Sequence, residues 1–194
     1  MTNDIGDDVR RFRDGDPAAL DALARHAFRS ALRTAAAITH SRDDAADIAQ
    51  DVTVEVLRSL PKLRAAEAFD GWVHRITVRH TLRALRRRRR RRAAETPLAL
   101  LPEADEPTAD GGVDRDALLS ARNVLAEALE ELPPKQRVAL ALRYIHDLPD
   151  SEIAAALECR VGTAHALLSR GRAALRSDPR LAELAPVPTA GGSR

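Results

Sequence analysis

The sequence predicts an all-α fold, two small helical domains joined by a flexible acidic linker. Three observations carry that expectation. Aromatic residues make up only 3% of the chain, and Ala and Leu dominate its apolar set, a composition that favours helix over a β-sandwich. Apolar residues recur at helical spacing through two long stretches. Between those stretches lie Pro97, Pro102, Pro107 and Gly111-Gly112 among Glu and Asp residues, which reads as a linker and a domain boundary. With 194 residues, 44% of them hydrophobic and 31% charged, the chain suffices for one medium domain or two small ones. It is too short for a large barrel enzyme.

The first helix is predicted from Pro17, a residue suited to a first turn. Leu20, Leu23, Ala27, Ala31, Ala35 and Ile38 mark its apolar face. Ser41, with Asp44 three places on, resembles a capping box and opens a second helix. Ile48, Val52 and Val56 line up along it, and Pro61 ends it near Leu60. A third helix runs from about Phe69 into the arginines, with Phe69, Trp72, Val73 and Ile76 on one apolar face. Val78, Leu82 and Leu85 form a rotated face further along. These helices make a domain over 1–92, followed by the linker at 93–117. Helical pattern resumes with Leu118, Ala121, Leu125, Ala128 and Leu132, stops at Pro133-Pro134, and restarts with Val138, Ala141, Leu142 and Ile145. Two further helices, at 151–157 and 163–176, complete a second domain over 118–176. Residues 177–194 read as a disordered tail.

The net charge of +2 hides strong segregation. Residues 61–92 hold 12 basic and 2 acidic side chains, whereas 93–131 hold 2 basic and 10 acidic. A basic block of this kind suggests a polyanion partner, and the acidic linker beside it could screen it in the free chain. Trp72 continues the Phe69–Ile76 stripe and so reads as core rather than as a stacking platform. The single cysteine, Cys159, allows no intramolecular disulfide and fits a reducing compartment. It reads as a small buried hydrophobe. Residues 1–13 carry Asp4, Asp7 and Asp8 with no apolar core, so no signal peptide is expected. No stretch approaches the apolar length that spans a bilayer, and the expected location is cytoplasmic.

The sharpest local feature is the helix, tight turn and helix over 151–176, the arrangement that sets a second helix into a DNA major groove. Ile153, Ala154 and Leu157 face inward, and Ala164, Leu168, Gly171 and Leu175 form the buried stripe of the second helix. Thr163, Ala166, Leu167 and Arg170 are then left for the groove, with Arg160, Arg172 and Arg176 for phosphates. In the first domain Arg75, Arg79, Arg83, Arg86 and Arg87 form one helical stripe. The six histidines make no i,i+4 pair and no Cys/His cluster, so no metal, cofactor or catalytic centre is expected.

Two stretches then carry a specific resemblance. Leu129-Glu-Glu-Leu-Pro-Pro-Lys-Gln-Arg-Val-Ala-Leu-Ala-Leu-Arg143, with Ser151-Glu-Ile-Ala154 and Val161-Gly-Thr163, resembles the fourth region of bacterial sigma-70-type initiation factors. Asp44-Ala-Ala-Asp-Ile-Ala-Gln-Asp-Val52 and Phe69-Asp-Gly-Trp-Val-His-Arg-Ile76 resemble their second region. Two regions in this order across a short linker are similar to the extracytoplasmic-function type. The resemblance implies a factor that binds core RNA polymerase and directs it to promoter DNA, with an anti-sigma factor as a conceivable further partner. It assigns polymerase binding to Asp47, Ile48, Gln50, Asp51 and Arg58. Contact with the upstream promoter element falls to Arg75, Arg79, His80, Arg83, Arg86 and Arg87. The helix-turn-helix contacts fall to Arg160, Thr163, His165, Ala166, Leu167, Arg170 and Arg172.

The sequence also departs from the family pattern. Glu158 stands where the turn usually has glycine, His165 and Leu167 replace two usual donors, Glu55 replaces an arginine and Arg79 an asparagine. Fewer donors on the recognition helix leave apolar contact, Arg170 and DNA shape to supply readout. The alternative reading is a sigma-derived adaptor that holds a partner protein without reading promoters.

Overall fold

The computed structural model describes residues 5–94 and 113–182, with side chains for 5–91 and 120–182. Its helices are α1 (Ile5–Arg13), α2 (Pro17–Thr39), α3 (Arg42–Ser59), α4 (Phe69–Ala94), α5 (Val113–Glu131), α6 (Pro134–His146), α7 (Asp150–Ala156), α8 (Val161–Ser177) and α9 (Pro179–Ala182). No strand occurs among the described residues. The central part of the expected linker, 95–112, and its screening role lie outside them.

The helix boundaries follow from local chemistry. The Asp16 carboxylate accepts from Ala18 N at 2.9 Å to open α2, whose end is a left-handed His40 with its N–H on the Ala36 carbonyl. Such an end satisfies a carbonyl the helix itself cannot. The Ser41 hydroxyl accepts from Asp44 N at 3.2 Å and starts α3. Two 3-10 turns, Leu60–Lys62 and Ala66–Ala68, carry the chain across to α4.

The first core is built on alanine. Ala27, Ala31 and Ala35 of α2 and Ala45 and Ala49 of α3 are fully buried. Such small side chains let two helices approach closely. Ile48, Val52 and Val56 of α3 and Phe69, Val73 and Ile76 of α4 close the core from the other side.

Two sequence-based boundaries need correction. Residues 5–13 are helical, because Ile5, Val9 and Phe12 pack one face on this core despite the acidic residues between them. The linker expected at 93–117 lies between the two halves, with α4 running to Ala94 and α5 beginning at Val113. The first six residues of the expected tail are ordered as well. Arg180 of α9 pairs with Asp178 at 2.6 Å and reaches back to Glu131 of α5 at 2.8 Å.

A larger difference concerns how the two halves meet. Ile38 of α2 and Val78 of α4 belong to the second core, with Val138, Leu142, Ile153 and Leu168. The Arg137 side chain, on a residue 7% exposed, donates to the Ile38 carbonyl at 2.8 Å and to the Leu132 carbonyl at 3.3 Å. Arg88 donates to the Thr39 carbonyl at 2.9 Å. Thr34 commits its hydroxyl hydrogen to the Ser30 carbonyl and takes a hydrogen bond from His146 Nε2 at 2.6 Å. The His146 ring lies 4.5 Å from that of His74. The halves therefore share a closed, partly polar interface.

Burial pushes both imidazoles of that interface down, His146 to about 4, and the neighbouring Arg33 and His26 reinforce the effect while Asp70 opposes it. The packed form therefore favours neutral rings. Its full strength is present above the ordinary histidine value near 6.5 and is lost as pH falls from there towards about 4, because separated or unfolded chains take up protons first. The urea midpoint is expected to fall between pH 7 and pH 5, and His146→Gln should flatten that dependence.

Candidate nucleic-acid and polymerase interface

Helix α3 presents one polar face. Asp47, Gln50, Asp51 and Arg58 are exposed along it, at spacings that place them together on the side away from the core. Val54, which sequence reasoning passed over, is 45% exposed in the middle of this face. Its signal was a spacing of four from Gln50 and of four to Arg58. Ile48 requires correction as a contact residue. It is 3% exposed and packs in the first core, so it supports the face from beneath.

On α4, Arg75, Arg83, Arg86 and Arg87 are exposed. Arg79 and His80 share that helix, but both are held by Glu55 of α3. Arg79 forms an ion pair with Glu55, and His80 Nε2 lies 2.7 Å from its other carboxylate oxygen. Burial alone would raise the Glu55 carboxyl, but the hydrogen bonds from His80 and Arg79 outweigh it and hold the group below its ordinary value. The two departures noted in the sequence, Glu55 and Arg79, are thus partners of each other.

Beside the stripe, Lys62, Leu63, Arg64, Ala68, Trp72 and Arg75 help to line a cavity of about 430 Å3. The Trp72 ring packs edge-on against Phe69 with centroids 6.0 Å apart, yet it is only half-buried and also forms part of the cavity wall. Helix α1 braces the loop that carries the other walls. Arg13 donates to the Leu63 carbonyl at 2.5 Å and the Arg64 carbonyl at 3.0 Å, and Arg10 pairs with Glu67 at 2.7 Å.

In the second half, Ile153, Ala154, Leu157, Ala164, Leu168 and Gly171 are buried. Glu158 sits in the turn at φ 51°, the left-handed conformation that explains why glycine is usual there. Cys159 is half-buried against the second core. Arg160, Thr163 and Arg170 are exposed, and Ala166 is half-exposed between them. Leu167 is half-buried against the core, so less of it faces outward than its register suggested. His165 is exposed, but its Nδ1 lies 3.1 Å from Asp150, which also pairs with Arg143. Arg172 lies on the flank of α8 and lines a groove with Leu125, Leu129 and Tyr144. No cluster of metal-ligating side chains occurs among the described residues. None of the helices among them is long and apolar enough to cross a membrane.

Two expected outcomes follow from these contacts. Glu55→Gln should free Arg79 and steepen the log–log salt dependence of DNA binding by about 1, read from titrations at several salt concentrations. Glu158→Gly should raise stability by ~1 kcal/mol, since relief of the left-handed strain exceeds the added chain entropy, measured by urea denaturation.

Comparison with known proteins agrees with this geometry. The profile of sigma-70 region 2 matches residues 18–91, and that of sigma-70 region 4 matches 122–175. The extracytoplasmic-function RNA polymerase sigma factor SigE of Mycolicibacterium smegmatis is 34% identical over 84% of this chain, which spans 63% of that protein's length. The RNA polymerase sigma-H factor of Pseudomonas aeruginosa is 28% identical over 86% of this chain and 89% of its own. The fold is similar to that of the sigma factor RpoE in its complex with the anti-sigma factor NepR from Bartonella quintana. That likeness has a TM-score of 0.60 at 22% identity and covers 84% of this chain and 93% of that one. With both regions matched in order and each on its own set of helices, the chain belongs to the sigma-70 family of RNA polymerase sigma factors, as one of the extracytoplasmic-function type.

Proposed function

We propose that this chain binds core RNA polymerase through the exposed face of α3 and directs it to promoters through α4 and α8, without catalysis of its own and in the cytoplasm. The observation that carries the reading is the division of exposed charge between adjacent helices. α3 offers an acidic face with Val54 at its centre, and a charged rim around an apolar contact suits a protein partner. α4 offers Arg75, Arg83, Arg86 and Arg87, a row fitted to phosphates and sequence-tolerant by itself.

The cavity beside Trp72 adds a way to recognise opened DNA. An aromatic wall with Lys62, Arg64 and Arg75 around it suits one unstacked base, since stacking on an aromatic ring contributes about 1–3 kcal/mol per base. On α8, Thr163, Ala166 and Arg170 share an outward face for the major groove. Arg160 and Arg172 flank it for phosphates. The donor-poor surface places more weight on thymine methyls and DNA shape. The likeness to a sigma factor held by an anti-sigma factor extends the set of partners to a protein of that kind.

Run-off transcription with core polymerase on pooled genomic upstream fragments tests this reading. Discrete starts that require the protein support it. Asp47→Arg with Asp51→Arg should weaken core binding at least about tenfold, a loss of some 1.4 kcal/mol, and leave free-protein DNA binding intact. Basic substitutions at Ala166 and Leu167 should change the promoters used. Core binding without any new start, and indifference to those substitutions, would instead identify an adaptor.

A further inference from the structure

We propose that His165 determines specificity on α8 by accepting a hydrogen bond from an exocyclic amino group in the major groove, adenine N6 or cytosine N4, and that Asp150 positions it to do so. The inference deepens the promoter reading and rests on α8 being the helix that meets DNA.

The polarity of the ring carries it. Asp150, the first residue of α7, forms an ion pair with Arg143 of α6 through one carboxylate oxygen. Its other oxygen lies 3.1 Å from His165 Nδ1. A carboxylate paired in this way accepts hydrogen bonds and has none to give, so the hydrogen between the two groups sits on Nδ1. In the neutral imidazole the two nitrogens take opposite roles. Nε2 is left with a lone pair on the side of the ring away from Asp150. No hydrogen bond engages it among the described residues. Arg143 anchors the carboxylate in turn, which keeps the ring from turning freely.

The ring is also placed where a base edge can reach it. The His165 side chain is 69% exposed, in the second turn of α8, and the N-terminal residues of a recognition helix are those that meet base edges. Gly162 and Ser169, one turn away on either side, are small and exposed. A Cβ added to Gly162 would meet nothing within 4 Å, so the surface beside the ring is open. In the major groove adenine N6 and cytosine N4 offer hydrogens, whereas guanine presents N7 and O6 and thymine presents O4 and a methyl group. A lone pair at Nε2 is complementary to the first two and repelled by the acceptors of the others. An arginine or lysine in the same place would select guanine. The histidine therefore changes which base is chosen rather than abolishing readout.

The test uses holoenzyme assembled from core polymerase and the full chain. A promoter found by run-off transcription is randomised through its duplex part, and the templates that holoenzyme retains are sequenced. Wild type is expected to favour adenine or cytosine about fivefold at one position, and His165→Ala to level that position alone. His165→Arg should move the preference there to guanine. The amide of Asp150→Asn can give or take a hydrogen. That variant should reduce the preference to about twofold while other positions and core binding stay unchanged, a pattern that general loosening of the fold would not produce. Deleting the chosen amino group, with purine for adenine or 2-pyrimidinone for cytosine, should weaken wild-type binding about fivefold more than it weakens His165→Ala. Sequence selection that His165→Ala leaves unchanged would overturn the inference while the promoter reading stands. So would a His165-dependent position that favours guanine or thymine. If no promoter is found, or none of its duplex positions is selected, α8 does not read promoters and both readings fall.

Discussion

The arrangement of the two halves depends on where a buried cation finds its partners. Arg137 carries its charge into a site 7% exposed, and its guanidinium donates to the carbonyls of Ile38, Glu130 and Leu132. Burial lowers its affinity for the proton, with nearby Glu130 opposing and Arg88 assisting that shift. A buried guanidinium without good acceptors would cost several kcal/mol. Here the acceptors stand at the C-terminal ends of α2 and α5, where carbonyls have no helical partners and the helix dipoles are negative. One side chain thereby joins a helix end from each half of the protein.

That junction determines what α4 can do. A single helix supplies Phe69, Val73 and Ile76 to the first core, Val78 to the second, and an arginine row to solvent. These three strips lie side by side around its axis, so a change in one alters its neighbour. Glu55 acts on one flank of the arginine row and α7 on the other. Neither neutralises the block of cations that continues towards Arg91. The consequence is a helix whose charge attracts polyanions at long range while its contact surface is limited.

Much of this was legible in the sequence because helical spacing and caps are local signals. Pro17, Ser41, Pro61 and Pro133 mark their helix boundaries through backbone chemistry alone, and the buried stripe of α8 follows from its register. The relation between the halves is not local, yet it left a trace. The rotated row of Val78, Leu82 and Leu85 required an apolar partner outside the first core, and α6 and α7 supply it. Helix α1 was missed because Asp7 and Asp8 obscured the spacing of Ile5, Val9 and Phe12. Ile48 illustrates the limit of assigning contacts from a motif, since neighbouring positions of one short run face the core and the solvent. Glu55 and Arg79 read only as two separate departures from the family pattern until the fold placed them together.

The Glu55–Arg79 pair also bears on selectivity. A free chain with an open row of arginines would bind any duplex, because phosphate contacts carry affinity without sequence information. Withholding one cation lowers that indiscriminate term, since binding that engages one phosphate fewer releases fewer counterions. In the proposed reading, bases are met by the cavity beside Trp72 and the outward face of α8, and Glu55 lines neither. Restraining the phosphate-binding row while leaving those surfaces intact raises the weight of base and shape readout in the total. In a protein whose recognition helix has few hydrogen-bond donors, this is a physical route to discrimination that does not require stronger base contacts.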